Sequence, residues 1–175
     1  ISVVKVDGIT KGKNDDIGIK ISMHIAASNP LAIDKDGVKK EMLENHALLL
    51  EVYPNLTFKE YENELDTMLS NNYGQVGIFD GTRCVGLTGY WIGSKLWCGK
   101  YMELDNVVVS KDYQRSGIGK KLFAYCETKA KKMNCTMLAL DSYSDNFEAH
   151  KFFYAQNYIP RGFHFINVLD KSKVR

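Results

Sequence analysis

The sequence predicts an α/β (α+β) fold: a mixed, largely antiparallel sheet flanked by helices, with a central parallel βαβ crossover. Three observations predict it. Residues 75–109 hold three strand-like runs divided by tight turn signals, which reads as an antiparallel meander. The apolar run Leu104 to Val109 leads into Gln114-Arg115-Ser116-Gly117-Ile118-Gly119, then an amphipathic stretch from Lys120 to Met133 and a further strand-like run, the order of a βαβ unit. Two helical periodicities precede the meander.

Residues 1–16 are polar, with Val3, Val4 and Val6 as an extra edge strand or extension. Ile17 to Ala26 alternates apolar and polar residues and reads as a first strand that Ser28-Asn29-Pro30 ends. Asp36 to Val52 has helical spacing through Val38, Met42, Leu43, Ala47 and Leu50, and Pro54 breaks it. Thr57 with Glu60 three residues on makes a capping box for a second helix carrying Phe58, Tyr61, Leu65 and Leu69. Gln75 to Phe79 and Arg83 to Trp91 flank the hairpin signal Asp80-Gly81. Trp97 to Val109 returns after a Gly93-Ser94-Lys95 turn. Ile118, Leu122, Cys126 and Ala130 then form one helical stripe. Thr136 to Leu140 is the next strand, expected parallel to 104–109. Asn146 to Gln156 is a short helix, and Tyr158 to Leu169 a last strand bent at Pro160.

At 175 residues the chain is expected to be a single domain over 1–175, with 45% hydrophobic and 25% charged residues. No apolar run would span a bilayer, and no signal-peptide pattern opens the chain. Cys84, Cys98, Cys126 and Cys135 lack metal-ligand spacing and read as reduced thiols, so the expected setting is cytoplasmic, without metal or membrane. A net charge of +2 argues against a general nucleic-acid binder. Charge is uneven, however. Residues 34–66 hold nine acids and four bases, and residues 111–132 seven bases and two acids. An anionic ligand suits the second region and a cationic one the first.

Glycines at a strand-to-helix turn let backbone N–H groups approach a phosphate, and the helix N-terminus adds partial positive charge. The motif lacks the Lys-Ser/Thr of a P-loop and the third glycine of a dinucleotide fingerprint. With Gln-x-x-Gly-x-Gly placed in this element order, the chain resembles the GNAT superfamily of N-acetyltransferases. The resemblance spans roughly 17–168 and is most specific over 101–158. It implies that the amides of Arg115, Ser116, Gly117, Ile118, Gly119 and Lys120, with Gln114 at the motif's first position, hold the pyrophosphate of coenzyme A. Arg115, Lys120 and Lys121 would add charge-assisted contacts. Val107, Val108 and Val109 would pair with the pantetheine arm, and an N–H near Val108 would polarise the thioester carbonyl.

The stretch from Asn146 to Tyr158 resembles the family's N-x-x-A-x-x-hydrophobic-Tyr-Glu-x-x-Gly-Phe helix. Asn146 falls on the asparagine that bonds the cofactor arm, and Ala149 lets the helix sit close to it. Phe153 stands where many members carry the tyrosine that protonates the departing thiolate. Tyr154 is the next residue, about 100° further round a helix, a candidate for that proton without being a simple substitute. Asn157 replaces the usual glycine.

An amine acceptor must lose a proton as it attacks, which a carboxylate can accept. Glu103 and Asp105, two apart on one strand, share a face. They lie eleven and nine residues before Gln114, where family members place an acid. Glu103 reaches further and is favoured. His24, His46, His150 and His164 read as satisfied or solvated, and Tyr90, Trp91 and Trp97 as core before pocket. The resemblance thus implies an acetyl-CoA dependent N-acetyltransferase acting by direct transfer on a primary amine of a small molecule or peptide, with a homodimer left open. The alternative is a coenzyme A binding module with weak or lost catalysis, acting as a sensor or regulatory protein. A nucleotide or phosphate binder of another fold is a third reading.

Overall fold

In the computed structural model, which describes residues 17–18, 35–172 and 174, the expected meander is the centre of one sheet. β1 (Ile17–Gly18), β2 (Tyr73–Asp80), β3 (Arg83–Lys95), β4 (Gly99–Val109) and β5 (Met137–Leu140) lie in that order. The first three pairings are antiparallel. β5 follows α4 (Ile118–Lys132), the crossover that a parallel neighbour requires, and the sheet is mixed. The described residues fall into two compact units divided between Ala139 and Leu140.

Each face of the sheet in the first unit is covered by helices. α1 (Lys35–Leu43), α2 (His46–Leu49) and α3 (Phe58–Leu69) place Met42, Leu48, Leu49, Tyr61, Leu65 and Leu69 in one cluster with Tyr73, Leu87 and Val108 of the sheet. α3 starts as expected, with both bonds of the Thr57/Glu60 capping box formed. On the other face, α4 buries its whole expected stripe of Ile118, Leu122, Cys126 and Ala130. Leu122 is fully enclosed, so Leu122→Ala is expected to cost about 2–5 kcal/mol, read as a lowered urea midpoint. Burial pushes the Cys126 thiol up to about 12, with Lys129 opposing. An inert thiol follows: Cys126 should escape alkylation at pH 8 until the protein is unfolded, as mass mapping of the labelled cysteines would show.

Four expectations are corrected. The helix expected over Asp36–Val52 is two helices, because Asn45 turns inward. Its amide is buried and donates to Gln75 Oε1 at 3.1 Å, while Gln75 Nε2 lies 2.8 Å from the Tyr61 hydroxyl, which donates to the Met42 carbonyl. The second helix already ends at Leu49, ahead of Pro54. The turn expected at 93–95 sits at 96–98, since β3 keeps its register with β4 out to Lys95 opposite Gly99. Trp97 is therefore exposed at the hairpin tip and is not core. The last strand expected over Tyr158–Leu169 is not formed: no ladder partner lies beside it among the described residues, and Pro160 offers no N–H. Ile159, Phe163, Phe165, Ile166 and Leu169 there are exposed. The strand readings at Val3, Val4 and Val6 and over 19–26, and His24, lie outside the described residues.

Candidate active site

The two candidate carboxylates stand on β4 with their side chains away from Met102 and Leu104, which are buried. Glu103 lies opposite Trp91 and Asp105 opposite Gly89. Cross-strand partners share a face, so both acids project to the side that α1–α3 cover. They differ in their engagements. The Trp91 indole donates to Asp105 Oδ2 at 3.1 Å. The Glu103 carboxylate has no hydrogen bond or ion pair among the described residues. The Tyr73 ring packs 4.8 Å from Trp91, and its hydroxyl occupies the space beside Gly89, where a Cβ would come within 2.4 Å. Only glycine fits opposite Asp105. Burial pushes the Tyr73 phenol above its ordinary pKa, so it stays protonated.

Beyond Asp105 the strand departs from regular pairing. Gly89 pairs with Asp105 and Leu87 with Val108, two steps on β3 against three on β4. This is a β-bulge, and Asn106 takes a left-handed φ of 53° in it. The Thr88 hydroxyl, buried, lies 3.2 Å from the Asp105 carbonyl. Tyr53, from the turn between α2 and α3, donates its hydroxyl to Asn106 Oδ1 at 2.6 Å. Val107 and Val109 are half-buried and Val108 is buried in the α1–α3 cluster.

The glycine loop follows after a 3-10 turn at Lys111–Tyr113. Gly117 caps α4 with φ 86°, and Arg115 also has a positive φ, 61°. Backbone of this kind makes concave turns whose N–H groups face an anion. The first helical N–H groups, on Ile118, Gly119 and Lys120, precede the first intrahelical bond, Lys121 N–H to the Gly117 carbonyl. No acid stands in the first turn of α4, and Gln114, Arg115, Ser116, Lys120 and Lys121 are exposed. Nothing lies within 4 Å of the place a Gly117 Cβ would take. An open, acid-free loop fits a diphosphate.

The loop is braced from outside. The Tyr113 hydroxyl donates to Asp80 Oδ2 at 2.6 Å, and the Arg83 guanidinium lies over the Tyr113 ring. Arg83 also reaches Ser110 Oγ and Asp112 Oδ2, each at 3.2 Å. Lys111 N–H donates to Glu51 Oε2 at 3.1 Å. The Ser116 hydroxyl donates to the Tyr113 carbonyl. Asp80, Arg83, Glu51 and Tyr53 were not singled out from the sequence. Only the Asp80-Gly81 hairpin signal could have pointed to the first two.

In the second unit, Asn146 caps α5 (Phe147–Ala155): its Oδ1 accepts from Ala149 N–H at 3.3 Å. Phe153 is half-buried, with ring centroids 5.8 Å from Phe152 and 6.5 Å from Tyr158. Tyr154 is exposed. His150 Nε2 bonds the Tyr143 carbonyl, and His164 pairs with Asp141. His46 bonds the Leu56 carbonyl in the first unit. The described cysteines are free thiols, and no cluster of metal-ligating side chains occurs among the described residues. No described helix is long and apolar enough to cross a membrane.

Comparison with curated protein sequences gives no match. Solved structures are similar in fold. An aminoglycoside acetyltransferase from an uncultured soil metagenomic sample has a TM-score of 0.71 at 14% identity, over 90% of this chain and 99% of that one. Glucosamine-6-phosphate N-acetyltransferase from Arabidopsis thaliana has a TM-score of 0.59 at 18% identity, over 79% and 95%. An aminoglycoside N-acetyltransferase in complex with CoA has a TM-score of 0.63 at 16% identity, over 75% and 90%. The sequence model of the acetyltransferase (GNAT) family matches residues 41–158, which run from the end of α1 through α2, α3, the meander, the glycine loop, α4 and α5. With its mixed sheet and its glycine turn at the start of α4, the chain belongs to the GNAT family of acetyl-CoA dependent acetyltransferases.

Proposed function

We propose that this acetyltransferase moves the acetyl group of acetyl-CoA directly to a primary amine of a small molecule or peptide, with Glu103 as the base. The observation that carries the reading is the contrast on β4: Asp105 is held by Trp91, while Glu103 is without a partner among the described residues. An alkylamine has a pKa of about 10.4 in water and arrives charged, so a carboxylate that can take its proton is needed before the nitrogen attacks. Acetyl-CoA supplies the activated thioester.

In this reading other residues divide the remaining work. Amides from Arg115 to Lys120, with the Arg115 and Lys120 side chains, hold the pyrophosphate, and Gln114 borders them. Val107, Val108 and Val109 align the pantetheine arm through their backbone, and an N–H near Val108 donates to the thioester oxygen as charge develops there. Asn146 has its carbonyl oxygen committed to Ala149, which leaves its side-chain NH2 to donate to the arm. Phe153 contributes an apolar ring. Tyr154, being exposed, is the candidate to return a proton to the thiolate, and a thiol pKa of about 8.5 makes water adequate in its place.

The acidic excess over 34–66 favours a cationic acceptor, and amino sugars and aminoglycosides are the first acceptors to try. Thiol release from acetyl-CoA, followed with a panel of amines, tests the proposal: turnover on at least one amine is the expected result. Tight coenzyme A binding with no turnover on any amine would overturn it. That outcome would favour the sensor reading, which Phe153 supports because it has no hydroxyl to offer.

A further inference from the structure

Two side chains of one short turn reach the two ends of the segment that leads from the β4 bulge to the glycine loop. Tyr53 donates its hydroxyl to Asn106 Oδ1 at 2.6 Å, and Glu51 Oε2 accepts from Lys111 N–H at 3.1 Å. Between these anchors lie Val107, Val108, Val109 and Ser110. We infer that the Glu51–Tyr53 turn is a positioning strap, which holds the cofactor-facing backbone of 106–111 in its binding geometry from the side of the acidic helices.

Three physical points carry this. First, both anchored residues sit where regular bonding stops. Asn106 is the left-handed residue of the bulge, and asparagine commonly tolerates that conformation by bonding its own nearby backbone. Here its oxygen is taken by Tyr53, so the bulge conformation is tied to a distant element. Lys111 N–H opens the 3-10 turn and has no carbonyl partner at its N-terminal side, so the Glu51 carboxylate caps it. Second, the turn that carries the strap is itself fixed. Val52 and Tyr53 N–H groups both bond the Leu49 carbonyl, Leu56 N–H bonds the Tyr53 carbonyl, and Leu56 is buried in the α1–α3 cluster. A rigid mount lets two hydrogen bonds set a position. Third, Glu51 is in an electrostatically adverse place. A carboxylate bonded to Lys111, four residues ahead of Arg115, lowers the local positive potential of a site meant for an anion. Its charge does not help bind a diphosphate. Its acceptor geometry does.

That opposition of charge and geometry provides the test, which rests on the coenzyme A part of the proposed function. Coenzyme A binding to the full chain is measured by titration calorimetry for wild type, Glu51→Gln, Glu51→Ala and Tyr53→Phe, with melting temperature and amide exchange alongside. Glu51→Gln removes the charge but keeps an acceptor oxygen of similar reach, and should bind as wild type or more tightly. Glu51→Ala removes both and should bind about three- to tenfold more weakly, the loss of one hydrogen bond outweighing the relief of charge. Tyr53→Phe should weaken binding by a similar factor of about three to ten. Exchange should quicken at the Lys111 amide in Glu51→Ala and not in Glu51→Gln. Should Glu51→Ala bind as tightly as Glu51→Gln, or more tightly than wild type, the carboxylate acts through charge and the strap is refuted. If Glu51→Ala and Tyr53→Phe both keep wild-type affinity and exchange, the strap is refuted as well, with the cofactor site intact. A wild-type chain that gives no heat with coenzyme A would overturn the cofactor assignment and the strap together, so the two failures are told apart by the wild-type titration.

Discussion

Glu103→Gln is expected to lower kcat/KM for acetyl transfer by about 10²- to 10³-fold, the usual worth of a positioned general base. The substitution keeps size and hydrogen-bonding reach and removes the ability to accept a proton. Coenzyme A affinity should stay within about twofold, because Glu103 lies on β4 ahead of the bulge and outside the glycine loop. Asp105→Asn serves as the control: asparagine retains an oxygen for the Trp91 indole, and the expected loss is less than about tenfold. Steady-state rates on the best acceptor from the amine panel decide it. A larger loss in Asp105→Asn than in Glu103→Gln would transfer the base to Asp105.

The second large effect belongs to Gly117→Glu, expected to weaken coenzyme A binding at least about a hundredfold. Two costs combine. At φ 86° an L-residue is strained by roughly 1–2 kcal/mol in the left-handed region. The new carboxylate also enters open space at a helix N-terminus where the ligand's phosphates are expected, and like charges repel there. Gly117→Ala isolates the first cost, and a loss of less than about tenfold is expected. Calorimetric titration of both variants, checked by their melting curves, measures the split. Retained affinity in folded Gly117→Glu would remove the glycine loop from the cofactor site.

Features set by short-range pattern were legible in the sequence. The Thr57/Glu60 capping box, the Asp80-Gly81 hairpin and the Ile118–Leu122–Cys126–Ala130 stripe each depend on residues within a few positions of one another, and all three stand in the fold. The glycine loop was legible for the same reason. What stayed hidden depends on partners far along the chain. Asn45 splits a helix because Gln75, thirty residues on, offers a buried partner. The β4 bulge is invisible without the register of β3. Glu51 and Tyr53 are ordinary residues of an acidic helical stretch until their contacts with Lys111 and Asn106 are seen. Residues 158–169 read as a strand, yet composition describes side chains and cannot supply a neighbour to bond.

The Asp80-Gly81-Thr82-Arg83 hairpin has a further consequence for anyone altering this chain. An exposed two-residue turn between long strands is ordinarily where a tag, a lengthened loop or a new chain terminus is accepted without harm. In this protein the residues on either side of the turn grip the lead-in to the glycine loop, Asp80 through Tyr113 and Arg83 through Ser110 and Asp112. Lengthening or cutting the turn would leave the sheet's inner strands paired while loosening the bracket that holds the glycine loop in place. The tip of the β3–β4 hairpin, where Leu96 and Trp97 are exposed, is the safer place for a graft.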